Sequence, residues 1–139
     1  MKLFITFTRS KLIAITSAVL LAVLIAGQVS EVKSLPKDAD TNEKRINFAH
    51  CRGYEVEEEC IEAKEVCLPK KFSDVYERYN ELQKQSGYDL KAYAGCNVTV
   101  YKYKIKNKPN TFLSLVVYNG RVIGGDIADT SVTGEMKPL

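Results

Sequence analysis

The sequence predicts an α+β protein: an N-terminal transmembrane helix, then a small domain with an antiparallel sheet of four to five strands and one principal packed helix. Three observations lead there. Leu12–Val29 (LIAITSAVLLAVLIAGQV) is uncharged and apolar or small throughout. Phe72–Ser86 repeats its apolar residues with a helical period. From Cys96 onward β-branched and aromatic residues dominate, interrupted by Asn119-Gly120, the strongest turn signal in the chain.

The first stretch is long enough to span a bilayer. Its eighteen residues, at about 1.5 Å of rise each, reach roughly 27 Å, near the thickness of the hydrocarbon layer. Lys2, Arg9 and Lys11 precede it, which leaves the N-terminus in the cytoplasm and the rest outside. Length and flanks favour an uncleaved signal anchor over a signal peptide cut after Ala26 or Gly27. The chain has 20 Lys+Arg and 17 Asp+Glu. All of the net +3 therefore sits in the targeting segment, and the neutral remainder implies no nucleic-acid surface. The organisation that follows is residues 1–29 as anchor, 30–42 as a polar linker containing Pro36, and 43–139 as one extracytoplasmic domain.

Within the domain, Glu43–Cys51 is helix-compatible, capped by Thr41 or Asn42 and ended by Gly53. Tyr54–Leu68 reads as two short strands or one bent strand, stopped by Pro69. The principal helix starts at Ser73 or Asp74, with Glu77 placed for a capping-box pair. It directs Val75, Tyr79 and Leu82 inward and closes at Gly87. Tyr88–Gly95 is a turn or short helical piece. In Cys96–Asn107, Lys102, Lys104, Lys106 and Lys108 alternate with Tyr101, Tyr103 and Ile105, so they share one face. Thr111–Tyr118 and Arg121–Ile127 form a hairpin around Asn119-Gly120, and Gly124-Gly125 marks a bulge or a close backbone approach. The remaining residues read as a loop.

Several of these residues together resemble a known family. They are Val75-Tyr76, Tyr79-Asn80, Leu82-Gln83, Gly87-Tyr88-Asp89-Leu90, Tyr93-x-Gly95, Tyr101-x-Tyr103, the hairpin from Leu115 to Ile127, and Gly134-x-Met136. The family is a C-terminal domain of unknown function found in membrane-anchored or secreted proteins of Gram-positive bacteria. The resemblance spans about Lys44 to Leu139 and departs from the family pattern at Cys96, where Lys is expected. It implies a small α+β domain outside the cytoplasm, assigns no activity, and transfers no functional residue.

Cys51, Cys60, Cys67 and Cys96 are even in number, and in an oxidising compartment they allow three pairings. If a single bridge forms, Cys60 with Cys67 across two short strands is the favoured one. No C-x-x-C or metal-ligand spacing occurs, so neither a metal nor any other cofactor is called for. The only histidine, His50, adjoins Cys51, but neighbours on a helix do not face each other, so no nucleophile–base pair is indicated. The acidic run Glu55–Glu65 and the lysine ladder suit adjacent strands as opposite-charge partners. The candidates for binding are Asp126, which either caps its turn or belongs to a site, and Lys102, Lys104 and Lys106, which suit an anionic polymer. Tyr88, Tyr93, Tyr101, Tyr103 and Tyr118 suit either core packing or a carbohydrate surface. The resulting expectation is a non-catalytic binding or envelope-associated module. Its partners would be the membrane, through Leu12–Val29, and an envelope protein or polymer. The competing expectation is a small secreted or envelope enzyme using carboxylates around Asp126.

Overall fold

A computed structural model of the chain describes residues 37–139. The expected anchor at Leu12–Val29 lies outside the described residues. Among the described residues, no helix is long and apolar enough to cross a membrane.

Five strands form one antiparallel sheet in sequence order: β1 (Val56–Cys67), β2 (Asn97–Ile105), β3 (Thr111–Tyr118), β4 (Arg121–Asp129) and β5 (Met136–Pro138). The expected C-terminal loop thus contains a short edge strand. Both the helix-compatible Glu43–Cys51 stretch and the principal helix form, as α1 (Asn42–Cys51) and α2 (Asp74–Gln85), with a 3-10 turn at Leu90–Tyr93 after the second. They cover opposite faces. Tyr101, Tyr103, Leu113, Leu115 and Val117 lie under α1 with Phe48 and Ala49. Val98, Val100, Val116 and Ile123 lie under α2 and the 3-10 turn with Tyr76, Tyr79 and Leu90. The two-residue period of β2 and β3 makes this division, since alternate side chains go to alternate faces.

Local chemistry explains the helix ends. Thr41 Oγ1 accepts the Lys44 N–H at 3.3 Å, and Gly53 leaves α1 at φ +87°. Gly87 leaves α2 at φ +81°. The Ser73 side chain makes no capping bond, and Glu77 pairs with Lys91 at 2.8 Å instead of folding back as a capping box. Val75, expected inside, is 74 % exposed; the turn of α2 directs Tyr76, Tyr79, Asn80 and Gln83 toward the sheet. The expected inward set was shifted because two of the buried positions carry amides, which no apolar pattern marks.

The Tyr54–Leu68 stretch holds the single strand β1 (Val56–Cys67), irregular in register on both sides of Cys60. This overturns the Cys60–Cys67 pairing. Seven positions along one strand is roughly 23 Å, several times the Cα separation a disulfide spans, and all four cysteines are free. At the opposite edge, residues expected in the linker join the fold. Ala39 donates its N–H to Gly120 O at 2.7 Å, Lys37 O accepts from Val122 N–H at 2.8 Å, and Ala39 is fully buried.

Candidate functional site

The lysine ladder is shorter than its spacing suggested. Lys102 and Lys104 share a face of β2, whereas Lys106 falls just past the strand end. Lys102 stands opposite Glu62 and lies 4.8 Å from the Phe112 ring, and Lys104 and Lys106 border a shallow depression with Glu57, Glu58 and Glu59. Acids and lysines are therefore strand neighbours, and these cations face carboxylates of their own chain.

Asp126 neither caps a turn nor opens to solvent. It is 5 % exposed and accepts the Tyr79 phenol on Oδ2 at 2.8 Å. Burial pushes its carboxyl above the usual range, held back by the Tyr79 hydrogen bond and by Lys102. The Tyr79 phenol is itself raised by burial and by Asp126, so it keeps its proton on the hydrogen bond to Asp126. His50 bonds to Glu55 and not to Cys51.

The site that the fold does build was not among the expected charged residues. A cleft of about 470 Å³ lies between the Gly87–Tyr93 segment and the β3–β4 turn. Its aromatic walls are Tyr88, Tyr93 and Tyr118, and Lys37, Asp89 and Arg121 bring charge to it. Two buried amides of α2 hold these walls. Asn80 Oδ1 accepts the Leu90 N–H at 2.7 Å while its Nδ2 donates to Asp89 Oδ1 at 2.8 Å; the same oxygen accepts the Lys91 N–H at 3.1 Å. Gln83 Oε1 accepts the Gly125 N–H at 2.8 Å.

That second bond lies two residues past a β-bulge. Val116 pairs with Gly124 and Val117 with Val122, so Ile123 is the extra residue of β4. The glycines here are required by space. A Cβ on Gly124 would stand 2.8 Å from Gln83 Oε1, and one on Gly125 would stand 2.5 Å from Ser114 O. Asn119 and Gly120, at φ +47° and +71°, make the tight turn. Its tip does not project free, because Ala39 binds Gly120 O.

Within the cleft, the Tyr93 and Tyr118 rings meet edge to face, 5.4 Å between centroids. Arg52 Nη2 donates to the Tyr88 phenol at 2.8 Å, and Lys37 Nζ lies 6.0 Å from that ring. Burial raises the Tyr88 phenol, with Arg52 opposing; a hydrogen bond with Cys96 raises that of Tyr118. Both are neutral at physiological pH. Asp89 is held below the usual carboxylate range, by Asn80 first and then by the Lys91 N–H, so it is ionised.

The family described as Domain of unknown function (DUF4830) matches residues 48–127. The chain belongs to this family. No curated protein and no solved structure matches it. The DUF4830 match contains all three tyrosines of the cleft, the hairpin with its bulge, and the two amides that support them, while Lys37 lies before it. Among the described residues, no group of three or more His, Cys, Asp or Glu side chains is placed to hold a metal ion. The Tyr88–Asp89 and Tyr118–Arg121 pieces were visible as motifs. Their convergence was not, since 28 residues and two strands separate them.

Proposed function

We propose that this protein is a non-catalytic binding module displayed outside the cytoplasm, with the tyrosine cleft as its ligand seat. The cleft carries the reading: aromatic rings and an exposed cation surround an opening large enough for a small ligand, and buried amides fix both of its walls. Leu12–Val29 anchors the chain with the domain on the outer side, or directs its secretion if cleavage follows Ala26 or Gly27. On this reading residues 1–29 are the anchor, the linker shortens to 30–36, and the domain begins at Lys37. The partner is a component of the envelope. The lysines on β2 serve the sheet and not the ligand, because their neighbours across the strands are glutamates.

Two measurements test this. Protease added to intact producing cells should remove a C-terminal tag from the full-length chain. A tag cleaved only after lysis would place the domain inside and end the proposal. Sacculi prepared from the same cells should sediment the detergent-solubilised full chain, and Tyr118→Ala should release at least half of it. Equal sedimentation of both forms would remove the cleft from the function.

A further inference from the structure

Resting on that reading, we infer that the ligand of the cleft is an acidic saccharide, held by its sugar faces on the tyrosines and by its carboxylate on Arg121. The surface of a pyranose alternates between C–H faces and hydroxyl edges. Tyr93 and Tyr118, both half-buried, present ring surface with a phenol on each ring, a lining of the same mixed character, while Tyr88 backs them from the core with its phenol held by Arg52. A volume of about 470 Å³ is in the range of small-ligand sites. A peptide side chain of aliphatic type would instead call for an enclosed apolar pocket, and this cleft is open and bordered by charge.

The charged residues divide the work. The hydrogen bonds Asp89 accepts, from Asn80 and from the Lys91 N–H, both end on Oδ1. Oδ2 is left to accept hydroxyl donors, and the depressed carboxyl keeps that acceptor ionised at any physiological pH. Arg121 is exposed at the start of β4, and among the described residues it forms no salt bridge. Its planar fork matches a carboxylate in two hydrogen bonds. Lys37 adds a second positive charge over the Tyr88 ring. The cleft thus offers stacking surface, one anionic acceptor for hydroxyls, and two cations for an acid. A neutral sugar would use only the first two of these.

The test uses the full chain in detergent micelles, titrated by calorimetry with trigalacturonate, maltotriose and trialanine. The chain has eight tyrosines and no tryptophan, so tyrosine emission follows the same binding without a tryptophan background. Trigalacturonate should bind at least tenfold more tightly than maltotriose. Raising salt from 50 to 500 mM should erode that preference. Arg121→Gln, a surface change, should remove most of it, with Lys37 keeping a remainder, and Tyr118→Phe, which keeps the ring and the fold, should retain most of it. Equal binding of the two sugars, tighter binding of trialanine, or no binding of either sugar overturns the acidic-saccharide assignment. If sacculi still sediment the protein in a Tyr118-dependent way in that last case, only the ligand class has failed. If Tyr118→Ala sediments like the wild type, the binding-module reading has failed with it.

Discussion

The two helices cover opposite faces of one sheet by opposite means. α1 brings an apolar anchor: Phe48 and Ala49 are fully buried against the sheet. Its one buried polar side chain, Arg45, is stacked 3.7 Å from the Tyr101 ring centroid and donates to Tyr103 Oη and Ala39 O, each at 2.8 Å. α2 lays half-buried tyrosines on its face, and its fully buried side chains are the amides Asn80 and Gln83. Burying a Phe side chain contributes about 1.5–3 kcal/mol. A hydrogen bond nets only about 0.5–1.5 kcal/mol. α1 therefore holds the domain together, whereas α2 fixes where the Leu90 and Gly125 backbones stand, and those backbones carry the two walls of the cleft. A helix spent on geometry is the stronger sign of a site.

The largest effect should come from breaking the α1 side. Phe48→Ala should cost about 3–5 kcal/mol, a transfer loss plus a cavity in a packed core. Chemical denaturation followed by circular dichroism measures it, and the folded fraction should bind ligand as before. A loss under about 1 kcal/mol would mean that α1 is not the anchor.

Gln83 sharpens the comparison from the α2 side. Gln83→Ala orphans the buried Gly125 N–H and should cost about 1–3 kcal/mol on that account alone. Gln83 Nε2 has no hydrogen-bond partner among the described residues. Gln83→Leu removes that unpartnered donor while filling the same space, so it should cost less than Ala while still loosening the bulge. Amide exchange at Gly125 reads the difference. If Leu protects Gly125 as well as Gln does, the side chain acts as volume and not as a hydrogen-bond acceptor.

A smaller loss of stability, about 1–2 kcal/mol, is expected for Asn80→Ala, because the Leu90 and Asp89 segment can turn partly to water for its bonds. The signature lies elsewhere: ligand binding at the cleft should weaken several-fold, more than Phe48→Ala weakens it. Binding unchanged in Asn80→Ala would show that the 3-10 turn holds its place without α2.

Much of this fold is legible in the sequence because its signals are local. Asn119-Gly120 fixes the hairpin, Gly87 stops α2, and the Tyr101–Ile105 alternation sorts β2 into two faces. The rest depends on partners distant in sequence. Asn80 and Gln83 look like solvent-facing residues until Leu90 and Gly125 are placed above them. Ala39 reads as linker until Gly120 lies beside it. Cys60 and Cys67 look bridgeable only while the strand between them is thought to turn. Asp126 stood out for its Gly-Gly context, and that context reports a crowded backbone and not an exposed carboxylate. Tyr88, Tyr93 and Tyr118 stand out in the sequence as candidates for a surface, but so do Tyr101 and Tyr103, and only the pairing of the two walls separates the cleft tyrosines from the core ones.

The smallest effect should come from Asp126, which lies beneath α2 but outside the cleft. Its carboxyl is raised on folding, chiefly by burial. A raised acid favours the folded state most when it is protonated. Its contribution is therefore full below the ordinary carboxyl value of 3.8 and is lost as pH rises through the elevated folded value. Asp126→Asn does not titrate and can still accept the Tyr79 phenol through its carbonyl oxygen. The wild type should thus lose stability relative to the variant as pH climbs through that window, and the two should run parallel above it, as denaturation midpoints taken from pH 3 to 8 would record. Parallel curves throughout would mean that Lys102 and Tyr79 fully offset the burial. A ligand-binding defect in Asp126→Asn would be the more consequential surprise, because it would couple the buried pair under α2 to the cleft and extend the role of that helix beyond the two amides.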